Sequence, residues 1–159
     1  MKKILITGGL GYIGMELSKV YSGYSSVYNV TVIDNKFYSS RVNQLKVWGI
    51  DYKQLDILDE NQLKEYIKDF DVIYHLAGIT DVPQTASQED KKLNNLIKKV
   101  GIQGTKNIIK YSKESCKIIF PSTHVVFEGL EIIKKNLSET KTVFKIEVDR
   151  RLESLHFKG

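Results

Sequence analysis

The sequence predicts a doubly wound α/β domain, a parallel sheet with helices on both faces. Three observations predict it. Apolar runs of strand length recur at residues 3–6, 29–33, 52–55, 72–76 and 117–120. Segments of helical periodicity lie between most of them, and strands that alternate with helices form a parallel sheet wound on both sides. The first run, Ile4-Leu5-Ile6, breaks into Thr7-Gly8-Gly9-Leu10-Gly11-Tyr12-Ile13-Gly14, a glycine-rich turn that opens a helix.

Each element follows from local pattern. Residues 12–20 carry the first helix, and Tyr21, Tyr24 and Tyr28 join it to the second strand as a packing cluster or, read more sharply, an interface patch. That strand runs through Val30-Thr31-Val32-Ile33 and closes on Asp34. A short helix over 39–48 ends at Trp48, a core or boundary aromatic. Asp59, with Gln62 three positions on, opens a helix over 59–68 in the manner of a capping box. His75 sits inside the apolar run 72–76 and is expected in the core, bonded to backbone. The stretch 88–113 reads as one long helix, with Leu93, Leu96, Ile97, Val100, Ile108 and Ile109 spaced by threes and fours. Gly101 and Gly104 interrupt it, as a kink or as a close approach to a cofactor or a neighbouring strand. Cys116, beside Ile118-Ile119-Phe120, is expected to be a buried thiol. Residues 121–142 show no clear element, and 143–156 read as an amphipathic helix through Val143, Ile146, Val148, Leu152 and Leu155.

Composition narrows the function class. A chain of 159 residues with 42% hydrophobic content suits one domain with a real core. The single cysteine excludes an internal disulfide and fits a reducing compartment. The apolar stretch near the N-terminus is three residues long, too short for a signal peptide, and nothing reaches the length of a membrane span, so a cytoplasmic protein is expected. The net charge of +5 comes from scattered pairs such as Lys91-Lys92, Lys98-Lys99 and Lys134-Lys135, which alternate with acids as a solvated face would. No nucleic-acid motif accompanies them, and neither nucleic acid nor membrane is expected as a partner. No trio of His, Cys, Asp or Glu has metal-ligand spacing, so no metal is expected. His124, at the C-terminal end of the fifth strand, reads as a loop residue or a substrate-facing one, and His156 as solvated.

The glycine turn carries the chemistry. Glycines let the backbone turn tightly and approach a ligand without a Cβ. The free N–H groups at the helix start then offer a site for a pyrophosphate. Gly9-x-Gly11-x-x-Gly14 fits the dinucleotide fingerprint, and Asp34 lies 20 residues beyond Gly14, where an acid meets the adenosine ribose. A carboxylate there accepts from both ribose hydroxyls and repels a 2′-phosphate, which favours NAD over NADP. Asn35-Lys36-Phe37 follows without an Arg, although Arg41 is close enough to complicate the choice.

Taken in order, the motifs resemble the extended short-chain dehydrogenase/reductase family, the NAD-dependent nucleotide-sugar epimerases and dehydratases. Thr7 to Gly14 is similar to the family's opening glycine motif, and Asp56-Ile57 to the acidic-aliphatic pair that flanks adenine. Val72-Ile73-Tyr74-His75-Leu76-Ala77-Gly78 resembles the fourth-strand motif that lines the nicotinamide ribose. Gly104-Thr105-Lys106-Asn107-Ile108-Ile109 resembles the helix motif after it, and Phe120 to Phe127 the fifth strand. The resemblance covers residues 1 to about 129 and implies an NAD-binding Rossmann domain across 1–159, with 130–159 a divergent tail. The cofactor-binding set it implies is Gly8, Gly11, Tyr12, Ile13, Gly14, Asp34, Asn35, Asp56, Ile57, Leu76, Ala77, Gly78 and Ser122, with Thr123 as the catalytic hydroxyl. It also implies a nucleotide-sugar substrate and allows a homodimer through the helix at 88–113.

In that family a Tyr acts as base, with its pKa lowered by a Lys four residues on. None of the nine tyrosines here has such a Lys, and no Tyr follows Tyr111. The segment near 143–156 offers Phe144 with Val148, or Lys145 with Asp149, and neither pair does this acid–base work. Gly101 stands where the family carries an Asn near the nicotinamide. Five strands are counted where a complete dinucleotide domain adds a sixth, so the chain is expected to stop before the last strand and the substrate domain. The fifth strand then has an open edge unless residues 131–159 cover it. The expectation is an epimerase/dehydratase-like chain that transfers hydride between a sugar carbon and NAD by ancestry, yet by itself binds cofactor without catalysis. The other reading is a silent NAD-binding sensor or partner module.

Overall fold

The computed structural model describes residues 1–79 and 91–121. The strands are β1 (Lys2–Thr7), β2 (Tyr28–Asp34), β3 (Asp51–Gln54), β4 (Val72–His75) and β5 (Lys117–Ile119). They form one sheet in the order β3-β2-β1-β4-β5, with every pair parallel. β1 is central: Ile4 faces Val30 on one side and Val72 on the other, and Thr7 faces Ile33 and His75. The strand order therefore reverses between β1 and β4, and a crevice opens at the C-terminal ends of those two strands.

Side chains alternate across the sheet, and each face is covered. Ile4, Ile6, Val30 and Val32 point to one face, where Leu10, Val42, Leu45 and Ile50 close over them. The helices on that side are α1 (Tyr12–Ser22) and α2 (Ser39–Val47). Leu5, Ile33, Ile73 and Ile118 point to the other face, against Leu63, Ile67, Ile108 and Ile109. There lie α3 (Glu60–Ile67) and α5 (Thr105–Tyr111). The doubly wound arrangement is as the sequence predicts. Trp48 packs partly buried at the edge of the first face, and Cys116 is buried on the second.

The local devices are mostly those read from sequence. Asp59 Oδ1 accepts the Gln62 N–H at 3.1 Å, so α3 begins at Glu60. The Gln62 side chain turns back to Asp59 Oδ2 at 2.6 Å, a carboxylate contact in place of the backbone contact of a full capping box. Tyr21 meets Tyr28 edge-on with centroids 5.2 Å apart, and its hydroxyl shares a 2.7 Å hydrogen bond with Tyr74. Tyr24 stands apart at 56% exposure.

The long helix is corrected. Within 91–111 it consists of α4 (Lys91–Lys98), a π-helical turn at Lys99–Gly104, and α5. Thr105, just past the wide turn, donates its hydroxyl proton to the Gly101 carbonyl at 2.6 Å. A Cβ on Gly104 would overlap the Ile57 side chain, so the close approach is to the loop after β3. Asn107, fully buried, fixes the same loop through Nδ2 to the Ile57 carbonyl at 2.9 Å, while its Oδ1 accepts from Gln103 at 2.8 Å. The readings for 121–142 and 143–156 lie outside the described residues, Pro121 excepted. Among the described residues β3 and β5 form the sheet edges.

His75 is in the core, but its partners are side-chain hydroxyls and not backbone. Thr105 gives its proton to Gly101, so its oxygen accepts from His75 Nε2 at 3.0 Å. His75 Nδ1 is then the acceptor for the Thr7 hydroxyl at 2.8 Å. The Thr7 oxygen in turn receives the Ala77 N–H at 3.2 Å. One chain of hydrogen bonds thus ties β1, β4 and the π turn in a fixed direction, and the Phe120 ring, 5.6 Å away, helps shield it.

Burial pushes the His75 imidazole down to about 4, because charge is costly there. The unfolded chain protonates this group near pH 6.5, whereas the folded chain resists until about 4. Stability should therefore fall as pH drops through that window, by up to about 1.4 kcal/mol per pH unit. Urea titrations across it should show the slope in wild type and a shallower one in His75→Gln.

Candidate functional site

The crevice at the end of β1 is built around a turn that excludes side chains. Gly8 adopts φ +63°, a conformation that L side chains rarely take. A Cβ there would lie 2.7 Å from the Ala77 Cα, so the turn is pressed against the backbone that leaves β4. The Gly11 N–H closes the turn on the Gly8 carbonyl at 3.0 Å. A Cβ on Gly14 would lie 2.5 Å from the Gly9 Cα, so α1 starts flush on the turn.

Gly11 is the N-cap of α1, with no side-chain cap and no acid in the first turn. Gly11, Tyr12 and Ile13 are exposed, with Tyr12 at 81%. The helix start thus presents amides and the positive end of its dipole outward, an arrangement suited to an anion.

Asp34 ends β2 next to this turn. Its Oδ2 accepts the Leu10 N–H at 3.1 Å and its Oδ1 the Lys36 N–H at 3.0 Å. Two of the roughly four acceptor positions of a carboxylate are thereby used, and the rest remain for other donors. Arg41, in the first turn of α2, donates to the Leu10 carbonyl and lies 5.3 Å from the centre of the Tyr38 ring. Asn35 reaches Asp56 Oδ2 from Nδ2 at 3.5 Å, and its carbonyl takes the Gln54 side chain at 3.1 Å. The structure therefore gathers Asp34, Asn35 and Asp56 on one side of the turn. Ile57 follows Asp56, but its side chain is buried and its carbonyl is held by Asn107.

The other side is formed where β4 ends. The Leu76 N–H bonds to the Thr7 carbonyl at 3.1 Å and the Ala77 N–H to the Thr7 hydroxyl. Gly78 beyond them is exposed, and a Cβ on it would meet nothing within 4 Å. Gly8, Gly11, Tyr12, Ile13, Gly14, Leu76, Ala77 and Gly78 thus share the crevice mouth, with the Asp34 group beside them. Ser122, Thr123 and His124 lie outside the described residues.

Three residues that hold this site were not singled out in the sequence for that role. Thr7 ends an apolar strand with a hydroxyl, and Asn107 is a polar residue on the apolar face of α5; each mismatch is a signal. The sequence marks Arg41 only as a complication in the choice between NAD and NADP. Among the described residues no buried side-chain polar atom lacks a partner, and no group of three His, Cys, Asp or Glu converges as a metal site would. No described helix is long and apolar enough to cross a membrane.

This chain is similar to known proteins. The model of the 3-beta hydroxysteroid dehydrogenase/isomerase family matches residues 5–149. A UDP-N-acetyl-alpha-D-glucosaminuronate decarboxylase of Bacillus cytotoxicus is 34% identical over 131 residues, which is 79% of this chain and 38% of that protein. A UDP-glucose 4-epimerase of Mycoplasma genitalium is 29% identical over 130 residues, 79% of this chain and 37% of that one. The structure of a UDP-glucose 4-epimerase from Bifidobacterium longum in complex with NAD+ and UDP superposes with a TM-score of 0.66 at 20% identity, over 80% of this chain and 38% of that chain. That last likeness speaks to fold. This chain spans less than two fifths of the length of each of these relatives. With the match across 5–149 and the parallel sheet that carries the glycine turn, the chain belongs to the 3-beta hydroxysteroid dehydrogenase/isomerase family of extended short-chain dehydrogenases/reductases.

Proposed function

We propose that this chain binds NAD at the C-terminal ends of β1, β2 and β4, as the cofactor portion of a protein that acts on nucleotide sugars. One observation carries the reading: an uncapped, acid-free helix start sits on a turn with no room for a Cβ, beside a carboxylate at the end of β2. The amides of Tyr12 to Gly14 would hold the pyrophosphate, with Gly11 shaping the turn and Gly8 keeping it flat against Ala77. Asp34 would take the adenosine ribose hydroxyls, and Asn35, Asp56 and the Ile57 backbone would border the adenine. Leu76, Ala77 and Gly78 would line the second ribose, and Ser122 is the further cofactor contact that the family resemblance implies.

NAD supplies a hydride acceptor that can return what it takes. The chain's part is to orient it and to keep a 2′-phosphate away from Asp34. Thr123 would share the proton of the substrate hydroxyl. The relatives are named for decarboxylation and epimerisation of UDP-sugars, which supports a nucleotide sugar as the substrate class. The missing Tyr-Lys pair supports a second reading, an NAD-binding module that these 159 residues do not themselves turn into a catalyst. A cytoplasmic setting fits both, since NAD is available there and Cys116 stays reduced.

Calorimetric titration of the chain with NAD should show binding, and no heat up to about millimolar ligand would remove both readings. Asp34→Ala should weaken NAD roughly tenfold to hundredfold and narrow its lead over NADP. NAD-dependent conversion of UDP-glucose or UDP-glucuronate by this chain would overturn the silent module.

Self-association belongs to the same proposal. Leu96 and Ile102 are 46% and 56% exposed along 88–113, among the exposed Lys98, Lys99 and Lys106. A homodimer through that face brings like charges together, so light scattering should show it strengthening as salt rises from about 0.05 to 0.5 M. Leu96→Glu should abolish it, and a monomer at every salt would exclude it.

A further inference from the structure

Leu10 lies between two glycines, where the backbone has its widest freedom and the two peptide units flanking it could rotate at little cost. Yet both of its polar groups are held by charged side chains from outside the turn. Asp34 takes the N–H at 3.1 Å, and Arg41 donates to the carbonyl. The Leu10 side chain is 1% exposed and packs with Val42 and Leu45 of α2. Arg41 precedes Val42, so the burial that docks α2 also brings the guanidinium to the turn. The Tyr38 ring, 5.3 Å from the guanidinium carbon, braces it there.

Asp34 holds the N–H of the Gly9–Leu10 peptide and does not reach the next peptide unit. The Leu10 carbonyl belongs to the Leu10–Gly11 peptide, whose N–H closes on the Gly8 carbonyl at 3.0 Å, and Arg41 holds its other end. Gly11 caps α1, so the Leu10–Gly11 peptide leads directly into the first amides of the helix. Arg41 also brings a positive charge to the turn, which favours an incoming pyrophosphate. Its Nη1 is directed to the Leu10 carbonyl, which sets it to hold the turn and not to meet a 2′-phosphate.

We propose that Arg41 is a positioning residue for the pyrophosphate turn: it fixes the Leu10 carbonyl so that the α1 amides are aimed before ligand arrives. The proposal rests on the NAD reading above. It separates two roles an Arg in this place can have, a strut for the turn or a ligand for a phosphate on the adenosine ribose.

The test uses the full chain with Arg41→Met, which keeps the apolar stem, and Arg41→Lys, which keeps a cationic donor. NAD and NADP affinities are measured by calorimetry, and amide exchange over residues 8–14 is followed without ligand. The expected result is about a tenfold loss for both nucleotides in R41M, as one charge-assisted hydrogen bond gives, with their ratio unchanged. Exchange over 8–14 should quicken in R41M while the remaining sheet amides keep wild-type rates, a pattern that global destabilisation would not produce. R41K should recover part of both effects. A loss confined to NADP would make Arg41 a phosphate ligand and overturn the proposal, as would unchanged affinity together with unchanged exchange. If wild type binds neither nucleotide, the NAD reading fails, and the exchange rates alone then decide whether Arg41 holds the turn.

Discussion

A side chain at position 8 would have to occupy the space of the Ala77 backbone, and the domain is arranged around that contact. It lies where the strand order reverses, so the turn after β1 and the segment after β4 meet with no strand between them. The approach brings Thr7 within reach of both Leu76 and Ala77, through its carbonyl and its hydroxyl. From Thr7 the hydrogen bonds run on through His75 to Thr105 and so to the π turn. The same closeness leaves Leu10 pointing into the α2 side of the core while Gly11 opens α1. Were β1 and β4 held further apart, none of these links would span the gap.

The sheet's two faces then divide the work. On the α1 and α2 side, Leu10, Val42 and Leu45 dock the turn and aim the groups that surround it. On the α3 and α5 side, Asn107 and Gly104 press the loop that carries Asp56 and Ile57 toward the sheet. Lys110 and Tyr111 both meet Glu60, which joins α5 to the start of α3 at an exposed surface where an ion pair adds little. What fixes that face is the apolar packing of Leu63, Ile67 and Ile108, all fully buried. The two ends of the candidate site are thus held by separate cores that share only the sheet.

Sequence periodicity made the strands and most helices legible because each is decided by local pattern plus one buried face. Ile4-Leu5-Ile6 needs no partner to be read as a strand, and the glycine spacing after it announces a turn. The π turn was hidden because it depends on contacts distant in sequence. Gly104 must clear Ile57, and Thr105 must reach Gly101 while accepting from His75. A periodicity count sees only two glycines in a helix. The partners of His75 were hidden for a like reason, since a polar residue in an apolar strand says that something must satisfy it without saying what. Arg41 was legible as a charge near Asp34, but its direction was set by the docking of α2, a tertiary event.

Among the described residues, no displaced titratable group is set for proton transfer. A general acid or base works best with a pKa near the working pH. Here every described group that is displaced moves away from neutrality. Burial raises Tyr21, Tyr52 and Tyr66, with the Tyr74 hydroxyl adding to the first and the charges of Asp34 and Asp51 to the others. Hydrogen bonds lower Asp59, Glu60, Glu65 and Asp71, and their lysine partners Lys110 and Lys113 rise. His75, which would ordinarily titrate nearest neutrality, is pushed to about 4 and has both ring nitrogens engaged. Proton movement calls for the opposite property, a phenol brought down by a neighbouring cation, and Tyr21, Tyr52 and Tyr66 have been moved the other way.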